Sequence, residues 1–289
     1  MNMGKNNFIK SPMNYTGGKH KLLPQLWPIL SQKINSGSRF IDLFAGGCNV
    51  AVNVRCKKVI ANDYEPHIME LYRTWQSMSI EDILSYIKHR IDEFGLSKTN
   101  KEGFYALREK YNAEPSPLDL FVLICYSFNN QFRFNKDGGF NMPFGLNRSS
   151  FNSSIEKNLI NFHAAIKDIV FVNKDFRDLK LDKLGPDDLV YCDPPYLITC
   201  ATYNENDGWN EGCEKDLLSL LDNIHVSGAN FALSNVLFNK GKTNDILIDW
   251  VEKNHAVYRT IHLDNTYSNC NYHTKDKSGK ADEVLIVNW

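Results

Sequence analysis

Short runs of consecutive apolar residues recur along the chain, and the first two end in residues that could contact a ligand. Residues 39–44 (Arg-Phe-Ile-Asp-Leu-Phe) are followed by Ala45-Gly46-Gly47, and the run over residues 58–63 ends in Asp63. A continuous apolar run that ends in a glycine turn is typical of a buried strand in a parallel sheet. Roughly 20 residues separate the glycine turn from Asp63, the spacing of a nucleotide-binding βαβ unit.

The later apolar runs predict the rest of a sheet and a helical region that interrupts it. From about residue 65 to residue 128 the pattern changes to helical spacing. Within this region, residues 99–102 (Thr-Asn-Lys-Glu) have the composition of a capping box, and residues 119–127 predict a core helix. Four further runs predict strands, at residues 169–172, 188–192, 229–233 and 283–288.

The segment after the predicted core helix has a different character. Residues 129–151 are rich in Asn, Gly and aromatic side chains, and Asp137-Gly138 is a typical hairpin turn. The simplest interpretation is one α/β domain, residues 1–65 and 166–289, into which a module of helices and a β-hairpin, residues 66–165, is inserted. We expect the α/β domain to contain a doubly wound, mostly parallel, Rossmann-like sheet.

Composition and charge do not indicate a function. Of the 289 residues, 43% are hydrophobic and 23% are charged, which is ordinary for a globular protein. The formal net charge is −1, from 33 Lys and Arg against 34 Asp and Glu. If the protein binds nucleic acid, the contact must therefore come from a local basic surface and not from the charge of the whole chain.

Cysteine usage and hydropathy exclude several classes of protein. The seven cysteines are spread along the chain without a Cys-x-x-Cys pair, which argues against a disulfide framework and against a zinc site. The N-terminal residues lack the apolar core of a signal peptide. The longest apolar run, residues 120–126, is far too short to cross a bilayer. We expect a cytoplasmic protein that binds no metal and does not enter a membrane.

The most informative stretch is Asp193-Pro194-Pro195-Tyr196, which directly follows a predicted strand. The amino group of a nucleobase is a poor nucleophile because its lone pair is delocalised into the ring. Two hydrogen-bond acceptors that receive bonds from its N–H groups can aim that lone pair at a methyl donor. The Asp193 carboxylate and the Pro194 carbonyl would be these acceptors. Prolines stiffen the loop, and Tyr196 offers a flat face for an extruded base. The alternative is a proline-rich turn with an incidental aspartate.

The glycine turn, Ala45-Gly46-Gly47, is a candidate for part of a ligand site. It is not the G-x-G-x-x-G fingerprint, so a phosphate cradle is poorly supported. A nucleoside without phosphate suits it better, with the backbone at Gly46 and Gly47 close to the ligand and Asp63 accepting from the ribose hydroxyls. A purely structural turn is the alternative. The order of the glycine turn, Asp63 and the Asp193 loop favours the ligand site.

Together these motifs resemble those of the Dam-type DNA adenine-N6 methyltransferases, most closely those encoded by T-even bacteriophages. The similarity runs in one order from Tyr15 to the C-terminus. It rests on residues 15–19 (YTGGK), 40–47 (FIDLFAGG), 61–63 (AND), 133–135 (RFN), 140–145 (FNMPFG), 193–199 (DPPYLIT), 233–237 (LSNVL), 272–273 (YH) and 282–284 (DEV).

The resemblance implies that S-adenosylmethionine is the cofactor and indicates which residues hold it. In this family the aromatic and lysine of the N-terminal motif contact the cofactor, the glycine turn and the following acid hold its methionine and ribose, and an Asp-Phe pair lies near its adenine. Tyr15 could instead be a packing aromatic and Lys19 a solvated residue. The candidates in this sequence are Tyr15, Lys19, Asp42, Phe44, Ala45, Gly46, Gly47, Asp63, Asp175, Phe176 and Asp193.

The inserted module resembles the target-recognition module of that family, whose hairpin enters the major groove. Phe128 aligns with an aromatic that wedges into the base stack, and Arg133 with a residue that contacts phosphate or base. The alternatives are that Phe128 is a core residue and that Arg133 and Arg148 are solvated surface charges. Leu146 replaces a lysine that reads guanine, and Arg148 follows later than expected. The DNA-binding candidates are Phe128, Asn129, Gln131, Arg133, Asn135, Pro143 and Arg148.

The resemblance thus implies transfer of a methyl group to N6 of adenine in double-stranded DNA, in GATC, with base flipping. Asp193, Pro194 and Tyr196 are the expected catalytic residues. The alternatives are an amino-group methyltransferase acting on cytosine N4 or protein glutamine, and a DNA-binding regulator on an inactive scaffold. A restriction partner is an open possibility, and one site per chain makes a monomer sufficient. The lysines near the C-terminus, with His273, are expected at the surface, with phosphate contact as the alternative.

Overall fold

The computed structural model describes residues 8–181, 183–199, 208–264 and 281–289. His273 and the lysine-rich tail around it lie outside the described residues. Backbone contacts divide the chain into two compact units. The first comprises residues 1–21, 45–53 and 63–173, and the second comprises residues 22–44, 54–62 and 174–289. The predicted division into a domain and an inserted module stays a prediction.

Five consecutive helices interrupt the series of strands, in the region where the sequence predicts helices. The described helices are α1 (Leu23–Leu30), α2 (Pro66–Ser77), α3 (Ile80–Glu93), α4 (Lys101–Ala113), α5 (Pro117–Tyr126), α6 (Ser153–Ile166), α7 (Glu211–Val226) and α8 (Asp245–Lys253). The strands are β1 (Arg39–Asp42), β2 (Lys58–Asp63), β3 (Ile169–Asn173), β4 (Asp188–Cys192), β5 (Asn230–Asn239), β6 (Lys242–Thr243), β7 (Arg259–His262) and β8 (Asp282–Val287).

The sheet of the second unit is mostly parallel, as expected. Its strands follow the order β2-β1-β4-β5-β8-β7, with β6 beside β5. The pairs β1–β2, β1–β4 and β4–β5 are parallel, whereas β8 is antiparallel to both β5 and β7. Strand β4 is buried along its whole length because side chains cover both of its faces. The predicted Rossmann-like α/β fold is confirmed.

Helices α7 and α8 cover this sheet with apolar side chains. Leu217 and Leu221 of α7 share one core cluster with Ile41 of β1, Val190 of β4 and Phe231 of β5. The side chain of Asn210 caps α7 by accepting from the backbone N–H of Cys213. Because the strands of the parallel region run in one direction, the loops after β1 and β4 leave the sheet at the same edge. Ligands bind at this edge in open α/β sheets.

The first unit is mainly helical and is built around α5. Every residue of α5 after Pro117 is buried, which confirms the predicted core helix. Its Asp119 is fully buried and accepts from the hydroxyl of Tyr86 at 2.9 Å and from Nε of Arg90 at 2.8 Å. The predicted cap of α4 is shifted by one residue: Asn100, not Thr99, accepts from the backbone N–H of Gly103.

The predicted hairpin is present as a looped excursion held by two separate antiparallel bridges. Ser127 pairs with Phe144, and Phe134 pairs with Phe140. At the tip, Oδ1 of Asn135 accepts from the backbone N–H groups of residues 137 and 139. Gly138 has a φ of +80°, a conformation that glycine adopts without strain. The turn therefore forms where the sequence predicts it, although the arms form no continuous strand ladder.

Among the described residues, none of the helices has the length and apolar character needed to cross a membrane.

Candidate active site

The glycine turn of the first unit is packed against Tyr15. A Cβ atom placed on Gly46 would come within 2.8 Å of the Tyr15 ring, and one placed on Gly47 would come within 2.8 Å of the Tyr15 Cβ. Gly46 also has a φ of +46°, in the left-handed region that side chains disfavour. Both glycines are therefore required for the N-terminal motif to lie on the turn.

Two asparagines anchor the segment that precedes Tyr15. Oδ1 of Asn49 accepts from the backbone N–H of Ser11 at 3.0 Å. The side chain of Asn53 accepts from the backbone N–H of Ile9 at 2.8 Å and donates to the carbonyl of the same residue at 2.9 Å. Both asparagines are buried. The N-terminal motif is thereby fixed to the stretch that follows the glycine turn.

Asp63 supports the other side of the turn. Its Oδ2 accepts from the backbone N–H of Gly46 at 2.7 Å, and its Oδ1 accepts from that of Glu65 at 2.9 Å. Burial raises the pKa of the Asp63 carboxyl to about 6, although these two hydrogen bonds oppose the rise. The hydroxyl of Tyr72 donates to the carbonyl of Gly46 at 2.8 Å. The conformation of Gly46 is therefore fixed at both its N–H and its carbonyl.

Lys19 is buried, with 4% of its surface exposed, and its Nζ donates to the carbonyl of Gly17 at 3.0 Å. It is therefore not a solvated residue at the start of a helix. An ammonium group with little contact with water is costly unless polar groups surround it. Lys19 is the last residue of the N-terminal motif, so that motif contains a buried ammonium group.

In the second unit, the loop after β4 carries the second candidate cluster. The hydroxyl of Tyr196 lies 3.1 Å from Oδ1 of Asp193 and 3.1 Å from Oε1 of Glu283. Pro194 is buried, and the backbone N–H and the hydroxyl of Thr199 both donate to the carbonyl of Tyr196. The Asp-Pro-Pro-Tyr loop is therefore held by side-chain and backbone hydrogen bonds.

The charges around this loop stabilise the neutral tyrosines. Burial raises the pKa of the Tyr196 hydroxyl well above its usual range, and the negative charges of Asp193 and Glu283 raise it further. Tyr191 on β4 is affected in the same way by burial and by Asp193, and its hydroxyl lies 2.9 Å from Oγ of Ser234. Asp42 is buried at the end of β1, paired in register with Tyr191.

An aromatic cluster lies at the end of β1 in the same unit. Phe44 contacts Phe176 with ring centroids 5.4 Å apart, and Trp209 lies 5.5 Å from both. Nε1 of Trp209 donates to the fully buried carboxylate of Glu214 at 2.6 Å. The neighbouring Asp175 accepts from the guanidinium of Arg177, which lowers the pKa of that carboxyl. The cluster presents flat apolar rings beside a carboxylate.

The predicted wedge residue is exposed. Phe128 keeps 40% of its surface in solvent, so it is not part of the core formed by α5. Its backbone N–H donates to the carbonyl of Pro143 at 2.8 Å, which joins the two arms of the hairpin. The next residue, Asn129, has a φ of +57°, and its carbonyl accepts from the side chain of Asn14 at 2.9 Å. The backbone that carries Phe128 is thus fixed while its ring faces solvent.

The remaining candidates on the hairpin differ in how they are held. Arg133 is exposed, and its guanidinium donates to Oδ1 of Asn141 at 2.8 Å. The side chain of Asn135 is engaged in the turn at the tip, as described above, and Gln131 donates to the hydroxyl of Thr16 at 3.3 Å. Lys136, Pro143, Leu146 and Arg148 on the hairpin are also exposed.

A chain of aromatic contacts, which the sequence does not indicate, connects the N-terminal motif to the hairpin within the first unit. The ring of Tyr15 lies 5.4 Å from Phe132, and Phe132 lies 6.0 Å from Phe134. Phe134 stacks on His67 at 4.0 Å, and the imidazole of His67 lies 2.6 Å from Oε1 of Glu65. The Tyr15 motif and the base of the hairpin therefore pack as one aromatic layer.

Three residues of the second unit have side-chain partners that the sequence by itself does not indicate: Trp209, Glu214 and Glu283. Glu283 belongs to the motif of residues 282–284, and its signal in the sequence is an acidic residue inside an apolar run. Glu214 precedes Leu217, Leu218 and Leu221 at helical spacing, so it lies on the buried face of α7. Such acids are buried only where donors meet them. Trp209 carried no comparable signal.

Each unit by itself carries groups that can recognise part of a nucleoside. Among the residues that the structure describes, three or more His, Cys, Asp or Glu side chains nowhere cluster as metal ligands would. The available groups are a carboxylate beside a tight glycine turn and, in the second unit, flat aromatic rings. A sugar diol and an aromatic base are recognised by such groups.

Comparison with known proteins identifies the family. The model of the D12 class N6 adenine-specific DNA methyltransferases matches residues 15–275. The type II methyltransferase M.FokI of Planomicrobium okeanokoites is 46% identical over 98% of the chain and 43% of its own length. The modification methylase StsI of Streptococcus sanguinis is 43% identical over the same shares. A DNA adenine methylase of Serratia marcescens is 28% identical over 66% of the chain and 68% of its own length.

The chain thus spans less than half the length of the first two relatives. The expected class, DNA adenine methyltransferases, is confirmed. These relatives are a type II methyltransferase, a modification methylase and a DNA adenine methylase, and none of the three is a T-even phage protein. The phage likeness therefore stays a prediction.

Proposed function

The chain belongs to the D12 class of N6 adenine-specific DNA methyltransferases, and on that premise we propose that it transfers a methyl group from S-adenosylmethionine to N6 of adenine in double-stranded DNA. One observation carries the proposal beyond the family. The loop Asp193-Pro194-Pro195-Tyr196 follows a buried parallel strand and is held by hydrogen bonds on Tyr196. The loop thus offers a carboxylate and a carbonyl as preorganised acceptors.

The two acceptors act on the amino group of the target base. Asp193 and the carbonyl of Pro194 would each accept from one N–H of N6, which draws the nitrogen towards sp³ geometry and aims its lone pair. Tyr196 would stack on the extruded adenine, and its ring is fixed because its hydroxyl is engaged. Extrusion is required because these acceptors cannot reach a base inside the duplex. Positioning then supplies most of the rate enhancement.

The residues of the predicted cofactor site suit S-adenosylmethionine. Asp63 would accept from the ribose hydroxyls, and the backbone of Gly46 and Gly47 would lie beside the methionine part. Phe44 and Phe176 would contact the adenine ring. When bound, the cofactor supplies an activated methyl group on a sulfonium. The remaining cofactor candidates are those of the N-terminal motif, Tyr15 and Lys19, with Asp42, Ala45, Asp175 and Asp193.

The hairpin is proposed as the DNA-reading element. Exposed Phe128 would fill the space that the extruded adenine leaves, because an apolar wedge can replace the lost stacking. Arg133 and Arg148 are exposed cations that would contact phosphates or guanine edges. Asn129, Gln131, Asn135 and Pro143 complete the proposed contact surface.

GATC is the recognition sequence that the Dam-type motifs predict. Leu146, which is 54% exposed where that family has a guanine-reading lysine, favours a different contact at one guanine. The names of two relatives, a type II methyltransferase and a modification methylase, support a role in restriction–modification. We propose a monomer that modifies DNA on its own, since one chain carries every residue named above.

Methylome sequencing tests the proposal directly. The chain is expressed in cells that lack their own adenine methylation, beside an Asp193→Asn variant, and the modified base and its context are read together. N6-methyladenine in one defined sequence supports the proposal. N4-methylcytosine or labelled protein would replace it with another amino-group methyltransferase. Absence of S-adenosylmethionine binding by calorimetry would favour the DNA-binding regulator.

A further inference from the structure

Glu283 lies at one end of a line of three acidic groups in the second unit. It is 5% exposed, on the edge of β8 that pairs with β5. Its Oε1 is 3.1 Å from the hydroxyl of Tyr196, and that hydroxyl is 3.1 Å from Oδ1 of Asp193. The phenol therefore bridges a buried carboxyl to the carboxyl proposed to meet the substrate amine.

A count of hydrogens shows what this line can do. Two O–O contacts within hydrogen-bond distance each need one hydrogen, and the phenol supplies only one. A proton added to either carboxyl satisfies both contacts at once. Burial and the two carboxylates keep the Tyr196 hydroxyl neutral, so it can accept from one neighbour while it donates to the other. The arrangement is built to take up one additional proton.

We propose that Glu283 receives, through Tyr196, the proton that the substrate amine loses after methylation. The inference rests on the proposed function. When the N–CH₃ bond forms, the S–CH₃ bond breaks and its electron pair stays on sulfur. The nitrogen then carries one proton in excess, which passes to Asp193. Asp193 gives its proton to the Tyr196 oxygen while the Tyr196 hydrogen moves to Glu283, and Glu283 finally releases it to water. The protein ends each cycle in its starting protonation state.

Two other ionisable groups among the described residues lie near the line. Tyr191 of β4 faces Asp193 and Glu283, and its hydroxyl is paired with Ser234. Asp42 at the end of β1 contributes a negative charge to the same region. Neither is bridged to Asp193 by the Tyr196 hydroxyl. Among the described residues, the hydroxyl of Tyr196 joins Asp193 to a second carboxyl by direct hydrogen bonds.

The substitution Glu283→Gln distinguishes a role of Glu283 in proton transfer from a role in holding Tyr196 in place. The amide can donate to the Tyr196 oxygen, which keeps both hydrogen bonds, but it cannot accept a proton. We expect the single-turnover rate to fall about tenfold or more, with unchanged affinity for S-adenosylmethionine and for DNA. Tyr196→Phe should cause a similar loss, and the double variant should lose no more than the single variants, because both cut the same route.

Two further variants complete the test. Glu283→Ala leaves a space of carboxylate size, and added formate should raise its rate several-fold while leaving wild type and Glu283→Gln unchanged. Asp222→Asn is the matched control, because Asp222 accepts from the hydroxyl of Tyr258 at 2.8 Å elsewhere in the same unit, and its rate should equal that of wild type.

The outcomes are distinct. A wild-type rate for Glu283→Gln, losses that multiply in the double variant, or no response of Glu283→Ala to formate would each overturn the inference while leaving the methyltransferase assignment intact. If wild type itself transfers no methyl group to adenine in DNA, the proposed function fails instead.

Discussion

The carboxylate of Asp63 accepts from the backbone N–H of Gly46 across a 2.7 Å hydrogen bond. This contact joins the end of β2 to the glycine turn, two features that lie 17 positions apart in the sequence. The contact has a functional consequence, because the conformation of the turn depends on Asp63, whose pKa is raised by burial. Cofactor binding should therefore depend on pH in a range in which aspartates of ordinary pKa stay ionised.

Affinity for S-adenosylmethionine should decrease as the pH falls through about 6. The pKa of Asp63 is raised by burial to about 6, and the ionised form is the better acceptor for ribose hydroxyls. If only that form binds, the dissociation constant at about pH 5 should be about tenfold higher than at about pH 7. Calorimetry across this range measures it. Asp63→Asn should bind weakly and without this pH dependence, whereas exposed Asp82→Asn should behave as wild type.

The raised pKa of Asp63 has the opposite effect on the stability of the protein without cofactor, which should decrease as the pH rises. Because its folded pKa lies above the ordinary value for an aspartate, Asp63 binds a proton more tightly in the folded state than in the unfolded state. Its contribution to stability is therefore present below about pH 4 and is lost as the pH rises through about 6. A cofactor effect and a stability effect can thus be told apart by their direction.

Gly46→Ala should destabilise the first unit strongly. The new Cβ would meet the Tyr15 ring at 2.8 Å, and the φ of +46° is unfavourable for alanine. Together these costs should lower the free energy of unfolding by about 2–4 kcal/mol, as measured by urea denaturation.

Gly138→Ala is the control for backbone strain alone. It has a φ of +80° with open space around its Cβ, so it should lose only about 1 kcal/mol. Removing the ring by Tyr15→Ala in the Gly46→Ala background should restore part of the loss. Equal losses for Gly46→Ala and Gly138→Ala would mean that contact with Tyr15 does not matter.

Asp193→Asn should abolish most methyl transfer without preventing binding. The amide presents N–H groups where the substrate amine needs an acceptor, and the expected fall in the single-turnover rate is about 100- to 1,000-fold. Transfer of a tritiated methyl group to DNA measures the rate, and calorimetry should give affinities within about threefold of wild type. Asp187→Asn, an exposed acid just before β4, is the control. Near-normal turnover by Asp193→Asn would refute the assignment of Asp193.

Phe128→Ala should impair base extrusion but not folding. The ring is 40% exposed, so its removal should change the free energy of unfolding by no more than about 0.5 kcal/mol. DNA carrying 2-aminopurine at the target position should show a smaller fluorescence rise with the variant than with wild type. Ile160→Ala is the matched control, because Ile160 is 41% exposed on α6. The same signal from all three proteins would leave Phe128 without a role as a wedge.

Asp119→Ala should be the most destabilising change in the helical part of the first unit. The carboxylate is fully buried and accepts from Tyr86 and Arg90, with Nζ of Lys110 at 3.6 Å. Its removal leaves a cation without its buried partner, at a cost of about 3–5 kcal/mol. Thermal unfolding of the variant beside Glu114→Ala, an exposed acid at the end of α4, provides the comparison. A small change would mean that solvent already satisfies Arg90.

The strands of the sheet were predictable from the sequence because they are short runs of mostly apolar residues. Strands β1, β2 and β4 occupy the predicted residues to within two positions. The β7 strand (Arg259–His262) was missed, since its residues are half-exposed or exposed and give no apolar run. The cap of α4 was predicted one residue early because Thr99 and Asn100 are both good caps, and only the observed N–H geometry decides between them.

Sequence alone determined the class of chemistry, because the chemistry resides in residue types at fixed short spacing. An aspartate, two prolines and a tyrosine after an apolar run, preceded by a glycine turn and an acid, predict a ligand site at the carboxyl edge of a parallel sheet. The partners of these residues depend on positions far apart in the chain, and only the tertiary structure decided them. Glu283 meets Tyr196 across 87 positions, and Tyr15 packs on Gly46 across 31, because strand order and loop packing, which no local pattern encodes, bring them together.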